Sequence, residues 1–492
     1  MLSDSWLVFA PNFIFLLSAF ALILSLLVLS NFMHNKNSIS PEVNRRIIHI
    51  IVGLLISFSP LIFSSNIYPT ILGVLFVLVN LISVKKNAFY GIHSQERESY
   101  GTIYFPLSYS IIVLFFWDKS IFITLSLLIL ALSDSIAGHI GSRNNSWRDF
   151  KVWYDRKTYV GTFAFLSTTI IILFFGSFFF KDVPYLQSLL FILIVAFFST
   201  LSEITSKKGS DNLSVPLISI LIMIALDEKF LSDENIIMFL IFIGKLFLIT
   251  FFLFISYKIK VLSLSGFMGA TIMGCLLLLY GYLFHFILLA TFFILSSTLS
   301  LAIKKLRFNK SKNSNRNVMQ VICNGGIPLL ICIISYFNTN PIFQYLYAAS
   351  VATVMSDTWA TEFGKLSRSR PVSITSFKSV PHGLSGGITL YGTLGSLVGS
   401  CIIALLTNIF FNLEVHLILV VFLCGFFGSS IDSILGDKLQ RKYQTLSGNV
   451  IENPEKGSKL ISGYKLIDNN LVNFIASIAG PLLMYLYIII IT

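Results

Sequence analysis

The chain has 492 residues, 55% hydrophobic and only 12% charged, where a soluble domain carries about 25% charged residues. That composition excludes a string of soluble domains, and the scattering of Cys275, Cys323, Cys332, Cys401 and Cys424 without a CxxC pair excludes a disulfide or zinc scaffold. The net charge of +12 sits in short loops between apolar runs, so it predicts membrane topology and attraction to anionic lipid headgroups or phosphates, not nucleic acid.

Apolar runs near 20 residues recur along the whole chain, the length that crosses a hydrocarbon core of about 30 Å. They are continuous, which excludes the alternation of a β-barrel. The expected fold is an all-α polytopic membrane protein with about 16 transmembrane helices. These are placed near 7–30, 47–63, 67–84, 102–117, 120–140, 160–180, 185–201, 213–226, 236–256, 264–281, 283–303, 318–337, 341–360, 384–411, 414–432 and 471–491. The first run is too long for a signal core and lacks a basic leader, so it reads as a retained span. The eighth is short enough to be re-entrant.

Alternating the loops puts nearly all the basic residues on one side: Lys36, Arg45, Arg46, Lys85, Lys86, Arg97, the loops 143–157 and 207–208, Lys258, Lys260, and the loops 304–316, 365–378 and 438–465. The other side receives short loops and the acidic segment 227–234. The positive side reads as cytoplasmic, both termini as outward, and the larger polar loops as the place for any chemistry. In a prokaryote the location would be the cell (inner) membrane.

The polar residues inside this frame repeat. Residues 133–141 read Ser-Asp-Ser-Ile-Ala-Gly-His-Ile-Gly, and residues 356–364 read Ser-Asp-Thr-Trp-Ala-Thr-Glu-Phe-Gly. Each is followed by a basic loop and a glycine-bearing helix start, then an acid ending a later helix, then an Asp-Asn pair opening an apolar run. From Asp134 the landmarks Gly161, Glu203 and Asp211 fall 27, 69 and 77 residues on; from Asp357, Gly386, Asp432 and Asp468 fall 29, 75 and 111 on. Two related halves follow, expected at 1–256 and 257–492.

Asp134, Glu203, Asp357, Glu362 and Asp432 stand at or near cytoplasmic helix ends, where an ionisable group needs a cavity or a partner. Carboxylates from two helices suit Mg²⁺, which brings phosphate oxygens with it. Helix starts offer free N–H groups to anions, and Arg156, Lys157 and Lys378 supply positive charge. Together these are the parts for phosphoryl or nucleotidyl transfer. Each residue alone has a plainer reading: an end-of-helix acid is also a cap or topology feature, Arg45 and Arg46 are also anchors, His49 is also a packing residue, and Gly386-Gly387 is also a helix-packing pair. Asn324-Gly325-Gly326 breaks a helix and is a candidate backbone-built site.

At these residues each half resembles a family. The first, roughly 40–225, resembles the polyprenol kinase family (dolichol kinase and phytol kinase). The likeness rests on Arg45-Arg46-Ile-Ile-His49, Tyr100-Gly101 through Pro106, Asp134 to Ala137 with Gly141, Lys157-Thr158 with Gly161-Thr162, and Glu203 followed by Asp211-Asn212-Leu213. The second, roughly 262–490, resembles the integral membrane family that contains phytyl-phosphate kinase. Here the matches are Leu264-Ser265-Gly266, Arg316 with Gln320 and Asn324-Gly325-Gly326, the whole of 356–364, Ile374-Thr375, the stretch 381–387, Asp432-Ser433 with Leu435-Gly436, and Asp468-Asn469. Where the first family more often carries a Lys-Ser-Glu-Gly-like element, this chain has Lys157-Thr158-Tyr159-Val160-Gly161.

The resemblance implies a bifunctional membrane kinase: isoprenoid alcohol (phytol, farnesol or geranylgeraniol type) to monophosphate in the first half, monophosphate to diphosphate in the second, with CTP or ATP as donor and Mg²⁺. In the first half it implies Asp134 and Glu203 on the metal, Lys157, Thr158, Gly161 and Thr162 cradling phosphates with Arg46, Asp211 and Asn212 nearby, and His49 or an acid taking the alcohol proton. In the second it implies Asp357, Glu362 and Asp432 on the metal. Lys378, Gly383, Ser385, Gly386, Gly387, Asp468 and Asn469 would stand at the phosphates, and Arg316, Lys365, Asn324 and Gly325 would complete the site. A CDP-lipid-forming cytidylyltransferase, a repeat-built lipid or phosphate transporter, and a chain with one active half are the competing readings.

Overall fold

The computed structural model describes residues 2–35, 40–86, 99–143, 149–153, 155–180, 183–231, 236–306, 315–411 and 414–491. Lys36, Arg97 and the parts 144–148, 154, 232–235 and 307–314 of the expected polar loops lie outside them. The chain forms two compact units, residues 1–245 and 246–492, so the division falls somewhat before the expected 256/257 boundary and inside a helix.

The first unit holds α1 (Leu2–Asn35), α2 (Pro41–Ser57), the single turn α3 (Ser59–Ile62), α4 (Ile67–Lys86), α5 (Gly101–Phe115) and α6 (Ser120–Leu128). A π-helical segment, Ile129–Asp134, joins α6 to α7 (Ser135–Arg143). Then come α8 (Tyr159–Ser177), α9 (Tyr185–Ile204) and α10 (Asp211–Leu226). Helix α11 (Ile236–Lys258) crosses into the second unit, which continues with α12 (Leu264–Tyr280), α13 (Leu283–Leu306), α14 (Val318–Phe337), α15 (Ile342–Gly364), α16 (Leu390–Phe411), α17 (Val415–Lys438) and α18 (Asn469–Ile491).

Every expected apolar run contains a helix, but the one expected from 384 begins only at Leu390, because 384–389 form a turn and a short strand. Among the described residues, 11 helical stretches are long and apolar enough to span a membrane, fewer than the expected 16. Four of the other expected spans (α2, α5, α10 and α12) run only 15–17 residues, short of the roughly 20 needed to cross alone. The fifth, α15, is long enough but diluted by polar side chains. The protein is a polytopic, mainly helical membrane protein.

Beside this helical frame, short antiparallel strands stand in the polar loops. β1 (Asp149–Lys151) pairs with β2 (Arg156–Thr158), and β3 (Val372–Ser373) with β4 (Gly387–Ile388). β5 (Lys442–Gln444) is flanked by β6 (Val450–Ile451) and β7 (Lys459–Ser462). Strands of two to four residues bury no periodic apolar face, so no hydrophobic pattern announces them.

Both units use one packing scheme. In the first, α10 lies against α5, α6 and α9, and α8 bridges α7 and α9; in the second, α18 lies against α14, α15 and α17, and α16 bridges α15 and α17. The centre of the second unit is α15, whose run 348–353 is wholly buried. Glycines let its neighbours close in, as small residues do between membrane helices: a Cβ at Gly395 of α16 would stand 2.8 Å from the Trp359 carbonyl, and one at Gly480 of α18 would stand 2.7 Å from the Ala349 carbonyl. This close packing carries Asp357 of α15 to the acid of α17.

Candidate functional site

In the first unit, three acids from three other elements lie within electrostatic reach of Lys157. Asp134 closes the π-helical segment, Lys157 stands on β2, Glu203 lies one residue before the end of α9, and Asp211 opens α10. π-Turns recur at functional sites because the wider turn re-aims a side chain. Lys157 Nζ forms an ion pair with Glu203 Oε1 and donates to Ser206 Oγ at 3.3 Å. The Lys157 and Glu203 side chains are only 16% and 8% exposed. Burial works against the ammonium, but Glu203, Asp211 and Asp134 around it outweigh burial and hold its pKa above the ordinary lysine value.

The turn that presents Asp211 is built by two motifs singled out in the sequence. Tyr100 N–H donates to the Lys208 carbonyl at 2.9 Å. Gly209, at φ +85°, sits so close to Gly101 that a Cβ would be 2.7 Å from the Gly101 Cα, and this left-handed conformation suits glycine. Asp211 Oδ1 accepts from both the backbone N–H and the side-chain amide of Asn212, each at 3.1 Å. Asn212 is therefore committed to shaping the turn.

The remaining first-unit candidates have varied surroundings. Arg46 Nη2 pairs with Glu42 at 2.6 Å, and Arg46 Nη1 donates to Ser142 Oγ of α7 at 3.3 Å. His49 lies 4.7 Å from the Phe105 ring, with Nε2 3.4 Å from the Leu130 carbonyl and the charges of Asp211 and Arg45 within electrostatic reach. Thr158 is the N-cap of α8 and accepts from Gly161 N–H at 3.1 Å. Gly161 is buried at the crossing with α7, where a Cβ would meet the Ala137 carbonyl at 3.1 Å and Gly141 Cα at 3.5 Å. Its immediate role is helix approach. Thr162 Oγ1 is buried with no hydrogen-bond partner among the described residues.

In the second unit the carboxyl groups of Asp357 (α15) and Asp432 (α17) adjoin, close enough for a hydrogen bond between them. Glu362 is not part of that pair: it binds Lys365 Nζ at 2.7 Å and lies within electrostatic reach of Arg316. Asp468 accepts from Leu471 N–H at 3.0 Å, capping α18, and faces Arg441 at 3.8 Å; Asn469, which opens that helix, is exposed. Lys378 and Gly383 are exposed on the loop between α15 and α16.

The same loop is organised by an acid that sequence reasoning missed. Asp437 accepts from Ser373 Oγ at 2.6 Å and from Thr375 Oγ1, and pairs with Lys442 at 3.2 Å. Gly386, at φ +83°, abuts its backbone, Gly387 enters β4, and Ser385 N–H donates to Glu452 at 2.6 Å. The available signal was Gly436-Asp437 following Asp432 by one turn, together with the Ile374-Thr375 motif.

Arg316, Asn324 and Gly325 line a separate cavity of about 320 Å³ among α11, α12, α13 and α14. Arg316 N–H donates to the Val261 carbonyl at 2.9 Å, and its own carbonyl accepts from Ser263 N–H at 3.0 Å. Burial lowers the guanidinium pKa and Glu362 opposes this. Gln320 is used elsewhere: with Asn317 it completes a capping box on α14, with bonds of 3.0 and 3.1 Å.

Among the described residues, no three or more His, Cys, Asp or Glu side chains converge as a ready-made metal set. The pairs nevertheless fit Mg²⁺, which takes one or two carboxylates and completes its shell with water and substrate phosphates. Glu203 Oε2 and Asp432 Oδ1 are buried with no hydrogen-bond partner among the described residues, and adjoining buried acids call for a shared proton or a cation.

The chain is similar to the protein PGR of Arabidopsis thaliana, with 32% identity over 45% of this chain and 88% of that protein. It is also similar to a phytol kinase of Synechocystis, with 31% identity over 40% of this chain and 86% of that enzyme. An uncharacterized membrane protein of Methanocaldococcus jannaschii is 31% identical over 46% of this chain and 85% of its own length. No solved structure matches. Residues 247–481 match the family described as integral membrane protein DUF92, and with relatives of this closeness the chain belongs to that family, in kinship with phytol kinase.

Proposed function

We propose that the chain is a bifunctional prenol kinase: the first unit phosphorylates an isoprenoid alcohol and the second converts the monophosphate to the diphosphate. The donor is CTP or another nucleoside triphosphate. One observation carries the reading: in each of two similarly packed units, acids from separate helices meet near polar loops, Asp134, Glu203 and Asp211 around Lys157 in one, Asp357 beside Asp432 in the other. Kinship with phytol kinase gives the acceptor class.

Asp134 with Glu203, and Asp357 with Asp432, would hold Mg²⁺, which when bound neutralises charge on the transferring phosphoryl group. Lys157 adds a buried positive charge beside the first site. In the first unit the acceptor hydroxyl gives up its proton to His49 or to a carboxylate of the cluster, either of which needs to come within hydrogen-bond reach. The γ-phosphoryl group moves to the alcohol oxygen and the nucleoside diphosphate leaves. In the second unit the acceptor is already an anion, so cations matter more than a base. The basic loops support a cytoplasmic setting for both sites, at the cell membrane in a prokaryote.

The test is purified protein in detergent with γ-labelled or α-labelled CTP or ATP, Mg²⁺, and a panel of prenols and prenyl monophosphates. Label from the γ position on lipid, lost for the alcohol step alone in Asp134→Asn and for the diphosphate step alone in Asp357→Asn, supports the proposal. CMP on lipid identifies a cytidylyltransferase instead. Absence of any labelled lipid overturns the kinase assignment.

A further inference from the structure

We propose that the cavity bounded by α11, α12, α13 and α14 is the seat of a single-chain amphiphile carrying a phosphate head, with Arg316 gripping the head and the apolar walls holding the chain. The proposal deepens the reading of the second unit as a prenyl-monophosphate enzyme and takes the acceptor's identity from it. The cavity, of about 320 Å³, is walled by hydrocarbon such as Ile249, Met273, Leu277 and Leu289, with Arg316 and Asn324 among its few polar residues. That size is at the lower end of ligand pockets, roughly 300–1,000 Å³; it suits one hydrocarbon chain and not the two of a bilayer phospholipid.

The polar residues are under-used. A guanidinium has five N–H donors, yet among the described residues the Arg316 side chain makes one hydrogen bond, from Nη1 to Ser297 Oγ at 3.3 Å, and lies 5.9 Å from the centre of the Phe293 ring. The Asn324 side chain has no hydrogen-bond partner among the described residues. Glu362, the acid within reach of Arg316, already binds Lys365 at 2.7 Å. One carboxylate shared by two cations leaves positive charge over at the cavity. A forked cation is suited to phosphate oxygens, which it can bind through two parallel hydrogen bonds. Free phosphate would leave the walls unused, and an uncharged alcohol would leave the cation unused.

The experiment measures binding to the full chain in detergent without nucleotide. The probes are farnesyl monophosphate, farnesol, inorganic phosphate and dioleoyl phosphatidic acid. Farnesyl monophosphate should bind at least about tenfold more tightly than each of the others. Arg316→Gln should weaken the monophosphate about tenfold and leave farnesol unchanged, with Arg316→Lys in between. Ala270→Phe, which fills the cavity, should weaken both lipids. In the unmodified chain, an alkyl phosphate with a diazirine at the tail end should label Met273 or Leu289. Unchanged affinity in Arg316→Gln, equal binding of phosphatidic acid, or label confined to outward-facing helix surfaces would overturn the site. Binding as described without any kinase product would refute the proposed function and leave the site standing; turnover indifferent to Arg316 would do the reverse.

Discussion

The buried lysine of the first unit allows a prediction that separates its energetics from its chemistry. Lys157→Met removes one cation from among Glu203, Asp211 and Asp134. Stripping one partner from a buried ion pair costs about 3–5 kcal/mol, because the other charge is left uncompensated. Here the Lys157 and Glu203 side chains are 16% and 8% exposed, so solvent can relieve little of it. Glu203→Gln is the milder change, about 2 kcal/mol, because the lysine keeps Asp134 and Asp211. For a unit of this size each kcal/mol moves the melting temperature by roughly 2–4 °C, so Lys157→Met should lower it by roughly 6–20 °C.

The pH dependence has a definite sign. The folded pKa of Lys157 lies above its unfolded value of about 10.4. Its contribution is therefore complete below that value and fades only as pH rises through the folded pKa. Lys157→Met lacks this alkaline decline. Thermal unfolding in detergent, without nucleotide or divalent ions, at several pH values reads all of this. A Lys157→Met protein as stable as the parent, or a Glu203→Gln protein less stable than Lys157→Met, would refute the reasoning.

Other outcomes follow from the geometry. Asp357→Asn relieves one of two adjoining acids, so it should cost no stability while lowering diphosphate formation by about 100-fold or more, as read by melting and by labelled product. Asp437→Ala removes the acceptor shared by Ser373, Thr375 and Lys442; the loop 373–387 should lose about 2–4 kcal/mol of protection in hydrogen exchange, with α15 unaffected. Gly161→Val places methyl groups against Ala137 and Gly141 and should destabilise the α7–α8 crossing by about 1–3 kcal/mol, visible as an earlier melt.

The membrane-spanning frame was legible because hydrocarbon thickness imposes a run length, and each expected run contains a helix. The helix-end acids were legible because a charge inside such a run demands a reason, and the order of acids, glycines and Asp-Asn pairs exposed the repeat. The partners were less so. Nothing in a separation of 46 residues says that Lys157 answers Glu203, so the lysine read as a phosphate ligand. Two short-range arrangements were readable and went unread: Glu362 and Lys365 face each other three residues apart on a helix, and Asn317 with Gln320 has the spacing of a capping box. Asp437 escaped because an acid at a helix end before a basic loop looks like a topology marker. Its role appears only once the chain folds back and brings Ser373 and Thr375 to it.

The π-helical segment Ile129–Asp134 has a consequence for how this protein can change over generations. Such a turn holds one residue more than the α-helix on either side of it. Loss of a single codon there would restore an ordinary helix while leaving α6 and α7 in phase, so most of the packing would survive. Asp134, however, would swing to a new heading. One small deletion would therefore remove the activity proposed for the first unit and keep its architecture, and a folded relative with a silent first unit would be the trace of that event.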